Sequence, residues 1–364
     1  MIHLVQIRHP AQGRRVARVA GNCLHVLDGH HSIYSCALSA LQTHEKLAAL
    51  IERSTSDTTL DYDAIYAGQS EWRLLPAFDH PEESSRCLVS GTGLTHRKSA
   101  DNRNAMHQAA ATKRNSDETS PAADTITNST MTDSMKIYNW GEQGGRPKSG
   151  IIGAQPEWFY KGNGTILRAH GEPLDVPAYA EDGGEEAEIA AAYIVDEEGA
   201  PWRVGFAQGN EFSDHQMEAR NYLYLAPSKL RACALGPELL VPVFEEDTAS
   251  SEMGSKAGFA DVRGVTTVSR DGQTLWTQDI ASGESNMVHT LENLEHHHFK
   301  YAAHRRPGDA HVHYFGTGGF SFGSKVELRD GDTMIVTFEN YGRPLINPLH
   351  VEGGLPVLSE VHAL

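Results

Sequence analysis

The sequence predicts an α+β protein that is mainly β. Two short stretches near the start, 2–8 and 14–27, have the composition of strands, and 32–53 has the apolar spacing of a helix. From Ile137 onward the pattern is rich in strands and frequent glycines. These observations indicate a small N-terminal α+β lobe followed by a larger, mostly β domain.

Local signals support the individual elements. Within 32–53, apolar residues recur at helical spacing along one face, namely Tyr34, Ala37, Leu38, Leu41, Ala48 and Ile51. Residues 264–276 form a hairpin pattern around Asp271-Gly272, a favoured two-residue turn. A further pair of strands is predicted in 332–349.

These elements divide the chain into an N-terminal lobe at 1–85, a motif-bearing segment at 86–136 and a β domain at 137–364. Residues 109–135 are rich in small and polar residues and hold almost no large apolar group. Two interpretations stay open for this stretch, an ordinary linker and a lid that orders over a site.

Composition excludes some classes of partner. The 364 residues carry a formal net charge of −17, whereas nucleic acids and anionic membranes need a basic face. No segment approaches the roughly 20 apolar residues of a membrane helix, and the N-terminus lacks an apolar signal core. The four widely spaced cysteines indicate reduced thiols, so we expect a cytoplasmic protein.

The strongest chemical signal is a cluster of eight carboxylates between Glu181 and Glu198, without Lys or Arg among them. Acidic runs are usually solvated surfaces, but Glu186 and Glu188 enter a strand-like apolar run. Residues two apart on a strand share a face at about 7 Å, so both carboxylates can face one cation. Glu211 follows the next strand candidate, 203–208, where a strand meets a helix that Ser213 and Gln216 begin as a capping box. Three oxygen ligands suit Mg²⁺ or Mn²⁺ better than zinc.

Several motifs in order resemble the fumarylacetoacetate hydrolase superfamily. GEEAEIAAAYIV, GNEFSDHQ and SKLRACALGPELLVP resemble its metal and active-site blocks, and PEWFYKGNG, FGTGGFSFG and LRDGDTMIVTF resemble its flanking blocks. The sequences of the segments SGTGLTHRKSADNRNAMH and SGESNMVHTLENLEHHHFKY are similar to those of the GguC-type branch. The resemblance covers about 90–349 and implies a mixed β-sandwich roll with a small N-terminal α+β lobe.

This resemblance also implies roles for individual residues. Glu186, Glu188 and Glu211 match the metal ligands, although the family usually has aspartate at the third position. Lys229 matches a catalytic lysine near the substrate's oxo or carboxylate oxygens, and Thr317 matches a threonine that contacts the substrate carboxylate. His215 stands where many members carry arginine, and we expect it to contact substrate.

Candidates for acid and base lie in 93–107, where hydrolytic members carry a tyrosine and a histidine. Here the corresponding positions hold His96 and Ser99, which weakens the case for water activation and thus for hydrolysis. We expect catalytic residues among His96, Ser99 and Asp101, with Arg103 as a substrate contact. A purely structural histidine at position 96 is the alternative.

Other candidates for substrate contact have plain structural alternatives. Tyr222 is expected on the helix after Glu211, and a core role is its alternative. Glu284 and Asn286 are predicted to begin a helix over 285–301, where capping is the alternative. His313 lies four residues before Thr317. The run His296–His298 suggests a soft-metal site, but its place at a helix end favours a dipole interaction.

Three hypotheses follow. In the first, the chain is a Mg²⁺- or Mn²⁺-dependent hydro-lyase of sugar-acid catabolism, which converts a 2-keto-3-deoxypentonate to 2-oxoglutarate semialdehyde. The resemblance implies a metal-stabilised enolate and loss of the C4 hydroxyl. In the second, the same fold hydrolyses a C–C bond of an acylpyruvate or 2,4-diketo acid, and in the third it binds a metabolite without turnover. The resemblance further implies a homodimer or a larger even oligomer.

Overall fold

The computed structural model describes residues 1–117, 131–243 and 258–364, with the backbone alone for 108–117. Its larger sheet holds thirteen of the strands in these ranges. They are β1 (Ile2–His9), β2 (Gly13–Ala20), β3 (Cys23–Leu27), β4 (Thr55–Asp61), β5 (Arg73–Leu74), β6 (Cys87–Gly91), β7 (Phe159–Asn163), β8 (Leu167–Arg168), β10 (Ala187–Val195), β11 (Pro201–Asn210), β12 (Cys233–Leu235), β13 (Leu239–Val241) and β16 (Ala310–Tyr314).

The smaller sheet holds five strands of the described ranges in the order β15-β14-β17-β18-β9. They are β9 (Leu174–Val176), β14 (Val262–Arg270), β15 (Gln273–Ser282), β17 (Thr333–Phe338) and β18 (Leu345–Val351). The helices of the described ranges are α1 (Ile33–Gln42), α2 (Leu47–Ser54), α3 (Tyr62–Tyr66), α4 (Arg97–Asp117), α5 (Asp133–Gly144), α6 (His215–Arg220), α7 (Leu225–Lys229) and α8 (Leu291–Phe299). The fold is therefore mainly β, as the sequence predicts, with two mixed sheets and few helices.

The centre of the larger sheet is β10, which pairs antiparallel with β11 on one side and with β16 on the other. All nine residues of β10 are buried. Ala190, Ala192 and Ile194 pack in one core cluster with α1 and α2, while Ile189 and Tyr193 pack in a second cluster with strands of the smaller sheet. Because layers cover both faces, β10 is a continuous apolar run without alternation.

The N-terminal strands extend this same sheet. The path runs β4-β3-β2-β1-β13-β11-β10-β16-β6-β7, and β1 joins it by pairing Ile2 with Val241 and Leu4 with Leu239. The parallel pairing of β16 with β6 places the end of β6 beside the end of β16. Residues after these two strands therefore lie next to each other.

Turn chemistry accounts for agreement and for differences. In the β14–β15 hairpin, Asp271 and Gly272 adopt φ of 51° and 77°, the left-handed pair that such a turn requires, and the prediction is confirmed. The single helix predicted over 32–53 is wrong, because α1 ends at the C-cap Thr43 and His44 takes a left-handed φ of 53°. The stretch 14–27 is likewise divided into β2 and β3.

One further stretch is described only in part, and one further prediction needs correction. The polar stretch 109–135 begins as helix, since α4 continues to Asp117, and it ends in α5; residues 118–130 lie outside the described ranges. The helix predicted over 285–301 starts later, because Thr290 is the N-cap of α8 and accepts a hydrogen bond from the Asn293 amide. The described ranges contain no helix that is long and apolar enough to cross a membrane.

A group of buried histidines packs between α8 and β16. The His298 ring lies 4.4 Å from the His313 ring and hydrogen-bonds His311 at 3.1 Å. Burial lowers the pKa of His311 and the pKa of His313 to about 3. These rings are therefore neutral at pH 7, and the soft-metal hypothesis gains no support, since the described residues hold one candidate ligand cluster and it lies elsewhere.

We predict that the protein loses stability on acidification at pH values well above those at which its carboxylates titrate. A histidine with a lowered pKa when folded binds a proton more readily when unfolded, so stability is lost as pH falls below about 6.5. Each such histidine contributes up to about 1.4 kcal/mol per pH unit there. Urea unfolding between pH 7.5 and 5 measures the slope. His311→Asn should reduce it, and an equal slope in the wild-type protein and this variant would contradict the assignment.

Candidate metal centre and active site

The β10–β11 hairpin brings three glutamates together. Ala187 pairs with Asn210, so the next pair outward is Glu186 and Glu211, and the Glu211 amide donates to the Glu186 carbonyl at 2.9 Å. Glu188 lies two residues along β10 on the same face. One carboxylate oxygen from each lies within 4.8 Å of the others, and all three residues are buried. A cation with ligand distances of about 2.0–2.6 Å spans such a set.

The chain after β16 closes the site on its other side. The Gly316 amide donates to Glu188 Oε2 at 2.7 Å. Gly316 has a φ of 93°, and a Cβ there would lie 2.1 Å from Thr95 Oγ1. Only glycine fits this position, because it allows both the backbone conformation and the contact with the segment after β6.

Two buried lysines neutralise part of the negative charge. Lys229 Nζ lies 2.6 Å from Glu186 Oε1 and 2.7 Å from Glu211 Oε2, and its own side chain is fully buried. Burial opposes its charge, but Glu186 and Glu211 raise the pKa of Lys229 well above the ordinary value. Lys161 forms an ion pair with Glu211 Oε1 and donates to the Phe212 carbonyl at 2.8 Å. Lys229 is therefore in the predicted site as an ammonium ion.

Lys161 was not among the site residues predicted from the sequence motifs. Its signal is the alternation within β7, where Phe159 and Lys161 are buried and Tyr160 between them is exposed. A lysine at an inward position of a strand needs a charged partner. The partner, Glu211, is fifty residues away, so the pattern of one strand does not identify it.

Negative charge remains in excess at this site. Six buried carboxylates and three buried cations lie in and around this site. They are Glu157, Glu185, Glu186, Glu188, Glu211 and Glu218, with Arg103, Lys161 and Lys229. With all nine groups ionised the formal sum is −3, and a protonated His215 beside Glu186 would bring it to −2. Burial and the charges of Glu211 and Glu186 raise the pKa of Glu188 well above its usual range. The donor set therefore fits a divalent cation, whose charge would offset most of this excess and favour the ionised form of Glu188.

His215 supports Glu186 from α6. Its Nε2 lies 3.0 Å from Glu186 Oε1, and its ring stacks on Phe320 with centroids 4.7 Å apart. Burial would lower the pKa of His215, but the hydrogen bond and charge of Glu186 raise it. The N-cap of α6 is Asp214, which accepts from the Met217 amide, so the predicted capping box at Ser213 is wrong. The histidine contacts a predicted metal ligand directly.

Arg103 lies in a second charged group beside the glutamates. Its Nη1 donates to Glu157 Oε2 at 2.7 Å, and its Nε pairs with Glu218 Oε1 on α6. Tyr222 donates to Glu157 Oε1 at 2.9 Å from a short 3₁₀ turn that follows α6. Arg103 also contributes to lowering the pKa of Glu186, behind the larger effects of Lys229 and His215, which together outweigh burial. Arg103 and Tyr222 thus belong to the surroundings of the predicted site.

His96 presents one free ring nitrogen. Thr95 Oγ1 donates its only proton to the Phe315 carbonyl at 2.7 Å, so it accepts from His96 Nδ1 at 2.9 Å. The proton of a neutral ring is then on Nδ1, and Nε2 keeps its lone pair. Burial lowers the pKa of His96 to about 4, and Nε2 is buried without a hydrogen-bond partner in the described ranges. An uncharged ring with a free lone pair is what a general base requires.

The other two candidates on α4 differ from each other. Ser99 is 4% exposed and faces inward, as expected for a site residue. Asp101 is exposed, and both its oxygens accept from Arg97 Nε at 3.1 Å one helical turn earlier. The expectation of a catalytic Asp101 is corrected, because a solvated surface ion pair does not reach a buried site.

The hydroxyl of Thr317 and the ring nitrogens of His313 form hydrogen bonds within the protein. Thr317 follows Gly316, and its hydroxyl donates to the Gly319 carbonyl at 2.8 Å and lies 3.2 Å from the Gly319 amide. The nitrogens of His313 lie 2.8 Å from the hydroxyls of Ser90 and Thr92. Thr317 lies beside the site, whereas both nitrogens of His313 are occupied in the core.

Glu284 and Asn286 lie in a 3₁₀ turn before α8. Glu284 Oε2 accepts from the Leu291 amide at 2.8 Å, at the first residue of that helix. Asn286 donates to Asp261 and to the Ser282 carbonyl. The Glu284 contact matches the capping alternative, whereas the Asn286 contacts lie outside α8. Their role as substrate contacts stays a prediction.

Comparison with known proteins confirms the predicted resemblance. A protein of Haloferax volcanii described as a probable 2-keto-3-deoxyxylonate dehydratase is 27% identical over 190 residues. The match covers 52% of this chain and 58% of that protein, so it spans little more than half of the relative's length. No family model matches the chain.

Solved structures share the fold over nearly the whole chain. A structure of 2-keto-3-deoxy-D-arabinonate dehydratase complexed with magnesium and 2,5-dioxopentanoate has a TM-score of 0.64 at 18% identity and covers 96% of this chain and 99% of its own. A 2-hydroxyhepta-2,4-diene-1,7-dioate isomerase from Mycobacterium marinum has a TM-score of 0.55 at 16% identity, with 97% and 100% covered. The chain therefore has the fold of these dehydratases and isomerases.

The arrangement predicts that Glu188→Gln loses metal affinity without unfolding. The amide cannot supply the charge that holds a divalent ion, and we expect at least about a hundredfold weaker Mg²⁺ binding in calorimetric titration, because charged ligands dominate such sites. Glu185→Gln is the matched control, since Ser321 holds both oxygens of Glu185. Wild-type Mg²⁺ affinity in the Glu188 variant would contradict the assignment.

Proposed function

We propose that this chain is a Mg²⁺-dependent hydro-lyase that dehydrates a 2-keto-3-deoxypentonate to 2,5-dioxopentanoate, which is 2-oxoglutarate semialdehyde. The single observation that carries the proposal is the buried set of Glu186, Glu188 and Glu211, with ligand oxygens within 4.8 Å of one another. The Haloferax relative and the magnesium-bound solved structure are both named as dehydratases of 2-keto-3-deoxy sugar acids, which supports the proposed substrate class. Magnesium, which is bound in that structure, is the proposed cofactor.

The reaction removes one water. A C3 proton and the C4 hydroxyl leave, and a proton shift from C5 to C3, with tautomerisation of the resulting enol, makes the terminal aldehyde. Bound Mg²⁺, held by the three glutamates, would polarise the 2-oxo group and stabilise the charge that develops when the C3 proton leaves. The substrate needs a base for C3 and an acid for the departing hydroxyl.

The chain's own residues supply the remaining groups. His96 is the proposed base, because its Nε2 lone pair is free and its Nδ1 proton is fixed by Thr95. Lys229 stays protonated between Glu186 and Glu211, so it acts as a fixed positive charge and hydrogen-bond donor beside the oxo group. A protonated lysine does not form a Schiff base, which requires the neutral amine.

The proposal also covers the architecture, the compartment and the assembly of the protein. We infer the mixed β-sandwich roll of the superfamily for a β domain at 137–364, preceded by an N-terminal α+β lobe at 1–85 and a motif-bearing segment at 86–136. Cys36, Cys87 and Cys233 are buried free thiols, which suits a cytoplasmic enzyme. A homodimer or larger even oligomer is the proposed assembly, with a small 2-oxo acid as substrate and neither nucleic acid nor membrane as partner.

Activity measurements test the proposal directly. Purified protein with Mg²⁺ should consume a 2-keto-3-deoxypentonate and release one aldehyde with no new carboxylate, and EDTA should abolish turnover until Mg²⁺ or Mn²⁺ is restored. Two acids produced from an acylpyruvate would indicate the hydrolase instead, and binding of these acids without turnover would indicate a metabolite-binding protein. Turnover after thorough chelation, with borohydride trapping at Lys229, would contradict metal chemistry.

His96 can be tested separately. Asparagine keeps a donor for Thr95 near the Nδ1 position and removes Nε2, so His96→Asn should lower kcat by about 10²- to 10⁴-fold, the usual contribution of a general base. Mg²⁺ affinity and thermal unfolding serve as controls and should stay at wild-type values. A wild-type kcat in this variant would assign His96 a structural role.

A further inference from the structure

Glu218 carries a buried carboxylate oxygen without a partner. The residue is 1% exposed and lies on α6, where its Oε1 pairs with Arg103 Nε. Its Oε2 is buried and accepts no hydrogen bond from any described residue. An unsatisfied buried acceptor is costly, and more so when it is charged, so it generally marks a place where a donor binds.

The position of Glu218 is beside the metal ligands. It lies three residues after His215 on α6, so the two side chains share one face of the helix. His215 hydrogen-bonds Glu186. Burial lowers the pKa of both His215 and Lys229, but nearby carboxylates, Glu218 among them, raise both values above the ordinary ones. The free oxygen therefore lies near the site and one helical turn from a group that contacts a metal ligand.

The surroundings disfavour an anionic ligand group at this oxygen. Oε2 belongs to a carboxylate, and Glu157 carries a second one that shares the same Arg103. One guanidinium is divided between two carboxylates, so the group has no positive charge left for an anion. A carboxylate or phosphate of a ligand would be repelled there. A hydroxyl group donates a proton without bringing charge, and it fits.

We propose that Glu218 Oε2 accepts a hydrogen bond from the terminal hydroxyl of the substrate, and so selects 2-oxo acids with a polyhydroxylated end. This inference rests on the proposed function, in which the opposite end of the substrate binds at the three glutamates. The hydroxyl at C4 is a poorer match, because it departs and needs a proton donor, whereas an ionised carboxylate only accepts. The C5 hydroxyl stays attached to the carbon chain throughout and can keep this bond.

A purely structural role for Glu218 makes a different prediction. Its ion pair with Arg103 links α6 to α4, and the ring of His107 on α4 also contacts the Glu218 carbonyl at 3.3 Å. If this link were the whole role of Glu218, its substitution would lower kcat/KM equally for all substrates. Glu157 provides the matched control, since it binds the same guanidinium but both its oxygens have partners.

The test compares two substrates in three proteins. The substrates are 4,5-dihydroxy-2-oxopentanoate and 4-hydroxy-2-oxopentanoate, which differ only in the C5 hydroxyl, and the readout is the ratio of their kcat/KM values from substrate loss. Glu218→Gln keeps an oxygen for Arg103 and replaces the free charged acceptor by a neutral amide, so the charge-assisted hydrogen bond to the hydroxyl is lost. We expect the ratio to fall about 10- to 100-fold in this variant, the usual contribution of a hydrogen bond to a charged group, and to stay unchanged in Glu157→Gln.

Other outcomes are decisive as well. An unchanged ratio in Glu218→Gln, or an equal fall in Glu157→Gln, would overturn the inference and leave the proposed dehydratase standing. If the wild-type protein turns over neither compound, the proposed function fails, and the same ratio is measured from dissociation constants by calorimetry with Mg²⁺ present. Binding of pyruvate, which lacks the distal hydroxyls, should be equal in wild type and Glu218→Gln, and weaker binding in the variant would also contradict the inference.

Discussion

An excess of buried negative charge at the end of one β-hairpin is the constraint on which the rest of this structure depends. Glu186 and Glu211 face each other across the β10–β11 register, and Glu188 follows on the same face. Burying three carboxylates costs several kcal/mol for each unpaired charge, so the fold must supply positive charge at this point. Lys161 and Lys229 supply part of it, and the three glutamates form a donor set that fits a divalent cation.

The surrounding architecture serves this cluster. Strand β10 is covered on both faces, which keeps water away from its carboxylates and strengthens every electrostatic interaction among them. The segments after β6 and β16 meet at Gly316, where one backbone amide reaches Glu188 and the neighbouring threonine orients His96. On the opposite side, α6 carries His215 and Glu218 on one face. The same cluster thus links a strand pair, two loops and a helix.

The sequence predicted the parts that depend on local spacing. The pair Glu186 and Glu188 follows from the period of a strand, and the turn at Asp271-Gly272 follows from the conformational freedom of those residues. Ordered motifs identified Glu211 and Lys229 by resemblance. Partners distant in sequence escaped prediction, because Lys161 and Glu218 gain their meaning from contacts with Glu211 and Arg103 that only the fold creates. Asp101 was misjudged because its place in the motif does not show which face of a helix it occupies, and on α4 it lies on the surface one turn after Arg97.

The most direct test of the central claim is spectroscopic. Electron paramagnetic resonance of the protein loaded with Mn²⁺, in the presence of pyruvate labelled with ¹⁷O in the carboxylate and oxo positions, reports which oxygens touch the metal. The three-glutamate site predicts one Mn²⁺ per chain, and the proposed function predicts a broadened signal with labelled pyruvate relative to unlabelled pyruvate. A signal that is identical with both forms, or a Mn²⁺ ion that remains bound after Glu186, Glu188 and Glu211 are all replaced by glutamine, would contradict it.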